Sequence, residues 1–219
     1  LHFGMAKSAL EAGKHVYVEK PMTLLAEEAE ELVELAESRG RKLMVGHLLE
    51  YHPAVNYMKR MIDAGEIGDL LYIYCQRLNL GVVRSHENAF WSLAPHDVSV
   101  ILYLLGDEPV NLQAMGGSYL QQDVDDVVFA TMQFGDGKIA QVHVSWLDPH
   151  KERKIVVVGT KKMLVFDDMQ AAEKIRIYDK GAHRNPDVGG VMQSITVRHG
   201  EIVIPALENG EPLDVELDR

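Results

Sequence analysis

The octapeptide His15-Val16-Tyr17-Val18-Glu19-Lys20-Pro21-Met22 restricts the architecture of this chain more than any other stretch. β-Formers run from His15 to Val18 and stop abruptly at Glu-Lys-Pro, because proline lacks an amide donor and fixes φ. From about Leu24 to Ser38, Leu25, Ala29, Leu32, Leu35 and Ala36 recur on one helical face with glutamates opposite, and Gly40 closes the pattern. A strand that runs straight into an amphipathic helix is the core of a βαβ unit. In open α/β sheets ligands bind just beyond the carboxyl ends of the strands. A lysine delivered there is well placed to act on a ligand, although residue type alone favours an ordinary surface lysine in a βα loop.

The flanking segments extend the pattern. Phe3, Ala6 and Leu10 have helical spacing with Gly13 as a stop, and Lys42-Leu43-Met44-Val45-Gly46 reads as a short buried strand. Helix–strand–helix–strand is half of a doubly wound sheet, with strands 15–19 and 42–46 parallel. Pro53 opens another amphipathic helix that closes at Gly65, and residues 70–79 read as a strand. Residues 81–92 lack a period and read as a loop, and residues 94–105 form a helix ended by Gly106. Beyond Pro109 the spacing predicts strands at 110–119, 126–134, 138–147, 153–159, 162–167 and 174–178, in a largely antiparallel sheet. Residues 181–190 are too polar and glycine-rich to assign. The expected fold is therefore α/β plus α+β: residues 1–47 as the C-terminal part of a Rossmann-like domain, and 48–219 as a mostly antiparallel sheet with flanking helices.

Charge and composition narrow the function. With 22 basic and 33 acidic residues among 219, and no long charge block, the net charge of −11 argues against a nucleic-acid or anionic-membrane surface. No apolar run reaches the length of a membrane span, and the first residues lack the order of a signal peptide. The single cysteine, Cys75, fits a reducing compartment, so a cytoplasmic location is expected.

His96 is the second candidate for chemistry. Pro95 as a helix-opening residue puts His96 in a first turn, where the positive end of the helix disfavours imidazolium and keeps the ring basic. A helix-start histidine paired with Asp97 explains the same letters equally well. The strand and loop before it supply Arg77, Asn79, Arg84, His86, Asn88 and Trp91. Arginines bind phosphates through paired donors and an aromatic ring stacks on a base or sugar, while a solvated loop accounts for any one of these residues as well. His47, Glu50 and His52 do not form a one-faced ligand set for a metal, so core, capping or substrate-contact roles are expected and no metal is implied.

The run Ala9-Leu10-Glu11-Ala12-Gly13-Lys14-His15-Val16-Tyr17-Val18-Glu19-Lys20-Pro21 resembles the signature of the glucose–fructose oxidoreductase/inositol dehydrogenase (Gfo/Idh/MocA) family of NAD(P)-dependent enzymes. His96, ten residues before Gly106, stands in register with the family's histidine at the start of a helix closing in Leu-Leu-Gly. The resemblance implies that Lys20 and His96 are catalytic, that Glu19, Lys20 and Pro21 lie at the nicotinamide end of NAD or NADP, and that the Lys20–Pro21 bond is cis. It implies hydride transfer from a secondary alcohol of a sugar, with His96 as the acid/base. The segments around Arg77-Leu78-Asn79-Leu80-Gly81 and Trp91-Ser92-Leu93-Ala94-Pro95-His96-Asp97 resemble members linked to nucleotide-sugar oxidation, which makes Arg77, Asn79, Arg84, Trp91 and Ser92 candidate substrate contacts.

Two departures qualify the resemblance. Ser92 stands where the family commonly has aspartate, and no G-x-G-x-x-G occurs in the chain. The match begins near the end of the family's nucleotide domain, and residues 212–219 resemble the approach to a helix that returns to it. The chain therefore reads as a middle portion of the family pattern, expected to bind dinucleotide poorly by itself. The alternatives are a non-catalytic ligand-sensing or oligomerisation module, or an inositol or free-sugar dehydrogenase. With no helices expected after residue 106 to cover the sheet's outer face, a homodimer or homotetramer through that face is also expected.

Overall fold

The computed structural model describes residues 2–85, 87–184, 195–207 and 212–218. They divide into two compact units, one comprising Leu1–Leu48 with Leu213–Arg219, the other Leu49–Pro212.

In the first unit, helices α1 (His2–Glu11) and α2 (Ala26–Ser38) accompany strands β1 (Val16–Glu19) and β2 (Leu43–Gly46). The two strands are parallel and in register from Val16↔Leu43 to Glu19↔Gly46, as the alternation of elements predicts. Ala6, Leu10, Leu32 and Ala36 form the core between the helices, with Phe3, Val16, Met22, Leu35 and Leu43 packed around it. These are the positions of the helical stripes in the sequence, and burying them is what holds α1 and α2 together. The glutamates of α2 stay outside; Glu27 and Glu28 fall in its first turn, where the helix dipole favours them. The Lys20–Pro21 bond is cis.

The second unit carries an eight-stranded mixed sheet. Its members are β3 (Leu70–Leu78), β4 (Pro109–Gly117), β5 (Val127–Phe134), β6 (Ile139–Ser145), β7 (Glu152–Gly159), β8 (Met163–Asp167), β9 (Ile175–Arg184) and β10 (Ile195–Val203). The order is β10-β9-β8-β7-β3-β6-β5-β4, antiparallel throughout except for the parallel pair β3–β6. Helices α3 (Pro53–Asp63), α4 (Ala89–Leu93) and α5 (Pro95–Leu105) pack on one face. That face is apolar and closed: Ile73, Cys75, Val128, Ala130, Val142, Val144, Ile155 and Val157 are all buried. The opposite face, with Tyr72, Phe129 and Ile139 each more than two-fifths exposed, has no helix on it among the described residues.

Three details differ from expectation. Residues 89–93 are a short helix rather than loop, because the Asn88 side chain accepts a hydrogen bond from the Trp91 amide and starts a turn. The last sheet strand, β10, has no counterpart in the expected set, and its pairing with β9 shifts register between His199 and Ile202, around Gly200. β9 runs on to Arg184, beyond the expected end at 178, while residues 185–190 lie outside the described ones. A sixth helix, α6 (Pro212–Leu217), groups with the first unit from Leu213 onward. Among the described residues no helix is long and apolar enough to cross a membrane.

Candidate functional site

In the first unit the site is the carboxyl edge of the β1–β2 pair. Glu19 and Gly46 are register partners, so Lys20 and His47 leave the two strands side by side. Gly46 makes room for this edge: a Cβ there would lie 2.7 Å from the Tyr17 hydroxyl and 3.2 Å from Glu19 Oε2. The Tyr17 hydroxyl donates to Glu216 Oε2 of α6 at 3.3 Å. Burial, and then the negative charge of Glu19, raise the Glu216 carboxyl above its ordinary range against that hydrogen bond. His2 Nδ1 lies 2.8 Å from the carbonyl of Pro21, tying the segment after Lys20 to α1. The His47 imidazole is held below its ordinary value, first by burial and then by the positive charge of Lys20. Its Nδ1 is buried and makes no hydrogen bond.

In the second unit β3 and β6 end together, close in sequence to several of the candidate residues. Leu78 and Ser145 are register partners, and the Asn79 amide donates to the Ser145 carbonyl at 3.0 Å. His96 lies half-buried in the first turn of α5, directly after Pro95. Its neighbour Asp97 points into the sheet and is 1 % exposed. Arg77 Nε and Nη2 donate to the two Asp97 carboxylate oxygens at 2.8 and 2.9 Å, a bidentate pair. Burial alone would lower the arginine, but the charge and hydrogen bonds of Asp97 outweigh it and the guanidinium lies above its ordinary value.

This geometry gives Arg77 a different use from the substrate contact expected of it. Arg77 lies on the helix-covered face with Cys75, and its paired donors are committed to Asp97. The arginine is a strut between β3 and the first turn of α5. Asn79 sits at the strand end, with its side-chain nitrogen folded over Gly81. Arg84 is exposed, pairs with Glu87 at 2.7 Å, and receives Gln121 Nε2 on its carbonyl. Trp91 is 44 % exposed on α4, a ring available for stacking, and Ser92 lies half-buried one turn before His96. His86 lies outside the described residues. Lys20 belongs to the first unit and His96 to the second.

His52 has a capping role. Its Nδ1 accepts from the Ala54 amide at 3.0 Å at the start of α3, and its ring packs on Phe166 with centroids 4.8 Å apart. Its Nε2 lies 3.8 Å from Asp168, which also receives Lys174 at 2.7 Å and Arg153 at 3.6 Å. Burial would raise the Asp168 carboxyl, but Lys174, His52 and Arg153 hold it below its ordinary value. Asp126, not singled out in the sequence, is fully buried and accepts the Tyr119 and Leu120 amides at 2.6 and 2.7 Å. The carbonyl of Asp125 receives the Ala89 amide at 2.9 Å, so this turn fixes where α4 begins. The doubled aspartate just before a strand was the only available signal.

The first-unit edge gathers several polar groups at one strand end. A glycine-cleared strand end carries a lysine, a carboxylate and an imidazole with a buried, unpartnered nitrogen. Residues 1–47 match the oxidoreductase family with the NAD-binding Rossmann fold, and residues 55–165 match the GFO/IDH/MocA C-terminal domain. The UDP-N-acetylglucosamine 3-dehydrogenase of Acidithiobacillus ferrooxidans is 31% identical over 191 residues, 87% of this chain and 59% of that protein. A solved structure of that dehydrogenase superposes with a TM-score of 0.77 at 28% identity, over 99% of this chain and 64% of that one. The 2,7-anhydro-N-acetylneuraminate hydratase of Escherichia coli is 26% identical over 199 residues, 84% of this chain and 53% of that protein. The chain thus spans between half and two-thirds of the length of these relatives.

Proposed function

Because this chain belongs to the GFO/IDH/MocA family of oxidoreductases, we propose that it serves NAD(P)-dependent oxidation of a secondary alcohol on a sugar, and that the sugar is carried on a nucleotide. The observation that supports this best is Lys20 at the carboxyl edge of a parallel strand pair, within the segment matching an NAD-binding family. The identity to a UDP-N-acetylglucosamine 3-dehydrogenase supports the nucleotide-sugar class.

In this reading residues 1–47 serve the dinucleotide, with Glu19, Lys20 and Pro21 at its nicotinamide end. The residues from 48 onward serve substrate and self-association. Bound there, the nicotinamide supplies the hydride acceptor. His96 takes the proton of the reacting hydroxyl, and Lys20 stabilises the oxygen as negative charge develops on it. Trp91, Asn79, Arg84 and Ser92 rim the sugar and its nucleotide. Arg77 acts indirectly, by fixing the turn that bears His96. We place the protein in the cytoplasm, in keeping with its lone, buried Cys75, and as a homo-oligomer through the open sheet face.

Turnover of UDP-N-acetylglucosamine with NAD⁺ or NADP⁺ by a full-length protein in which this chain is joined to a glycine-rich dinucleotide-binding segment, followed by NADH or NADPH absorbance, tests the reading. Lys20→Ala and His96→Ala should each lower kcat by about 10²–10⁴-fold while the protein stays folded. Unchanged turnover in both variants would exclude the assigned roles. Ser92, in place of the family's usual aspartate, favours a second reading as a ligand-sensing module. Tight nucleotide-sugar binding without any reduction of the dinucleotide would select it.

A further inference from the structure

His47 follows Gly46 at the end of β2, beside Lys20 at the end of β1. Its ring is held asymmetrically. Nδ1 is buried and has no hydrogen-bond partner, whereas Nε2 is not among the buried side-chain atoms without a partner, and the residue as a whole is only part-buried. A proton on Nδ1 would be a buried donor with no acceptor, the rarer and costlier case, whereas a proton on Nε2 leaves only a lone pair unmatched at Nδ1. The neutral ring therefore carries its proton on Nε2. Protonating both nitrogens would bury that same N–H next to the Lys20 ammonium, so the cation is disfavoured twice. The outcome is a fixed neutral donor at the edge of a strand pair, where α/β sheets bind ligands. A neutral imidazole in such a place polarises an oxygen by donating its N–H, without exchanging a proton in the process.

We propose that His47 is a ligand-binding residue of the first unit, a neutral imidazole whose Nε2–H donates to an oxygen of the bound molecule beside the Lys20 ammonium. The acceptor is a carboxamide or hydroxyl oxygen, from the nicotinamide end of the dinucleotide or from the sugar. Gly46 contributes by leaving space for Tyr17 and Glu19 over the same strand end. This inference rests on the reading of the first unit as a nucleotide-binding edge, but not on turnover.

The test is ¹⁵N-histidine NMR of the chain at neutral pH, with the His47 signals assigned by their loss in His47→Gln. The free protein should show the Nε2–H tautomer. Millimolar NAD⁺ and millimolar UDP-N-acetylglucosamine, added separately, identify the source of the acceptor by which one moves the Nε2 resonance. His47→Gln, whose amide reaches the Nε2 position, should hold that ligand within about threefold of wild type, and His47→Phe should weaken it by about tenfold, the loss of one hydrogen bond. An Nδ1–H tautomer, a protonated ring at neutral pH, or no response to either ligand overturns the proposal. If the dehydrogenase reading fails, turnover is absent while the His47 response remains. If only this inference fails, turnover persists unchanged in His47→Phe.

Discussion

At the scale of single residues, the Arg77–Asp97 pair sets the largest stake. Each partner is nearly sealed from water, so the pair's own net contribution is small but an orphaned partner is costly. Asp97→Ala should therefore lower unfolding free energy by about 3–5 kcal/mol in denaturant titration, and Arg77→Met/Asp97→Leu by less than either single removal. Two histidines, His52 buried and His47 part-buried, carry a pH dependence. His47 and His52 sit below the ordinary 6.5 when folded, chiefly because burial disfavours the cation. The unfolded chain thus binds more protons below that pH, and stability rises with pH through the window. Stability is fully present above about pH 6.5 and falls on acidification below it, so Tm at about pH 5.5 should be lower than at about pH 7.5. His47→Phe should remove part of that difference. An unchanged pH slope would mean the ring titrates freely.

At the scale of elements, what matters is how strand ends are brought together. β1 and β2 are parallel, so Lys20 and His47 emerge adjacent; β3 and β6 are parallel, so Asn79 and Ser145 do. The turn at residues 65–69 is closed against β7 at Gly159, where a Cβ would stand 2.3 Å from the Ile67 carbonyl oxygen. That neighbour is backbone and cannot swing aside. Gly159→Ala should cost about 1–3 kcal/mol, measured by thermal or urea unfolding, through forced separation of the turn from the strand. Most of these elements were legible. The helical stripes of α1, α2, α3 and α5 and the alternation of β5 and β6 carry their own period, and glycines mark their ends. The short α4 was not legible, because five residues hold less than two helical turns and its start depends on the Asn88 cap. β10 was missed because its run is broken at Gly200.

At the scale of the whole molecule, the second unit leaves one sheet face without helices. Phe129 and His143 stack there at 4.2 Å, on the same face as Tyr72 and Ile139. Burying such a surface against a second copy is favourable at about 25 cal/mol per Å². Light scattering at micromolar concentration should report a dimer or tetramer, and Phe129→Glu should dissociate it; a monomeric wild type would remove this face from the proposal. The sequence by itself determined the helices and strands other than α4 and β10, and the alternation that makes the opening pair parallel, because periodicity and strand-ending prolines are local properties; the two residues proposed for chemistry came from the resemblance to the family. It also carried the Glu-Lys-Pro and Pro-His signatures that point to the family. Only the tertiary structure decided which partner each polar side chain has. Arg77 and Arg84 look alike as letters seven positions apart, yet one faces the helix-covered side of a sheet and meets Asp97 while the other stays in solvent. The same holds for His47 and His52, one turned to a strand edge and the other spent on a helix cap. Burial and pairing arise from segments distant in the chain, and no local pattern encodes them.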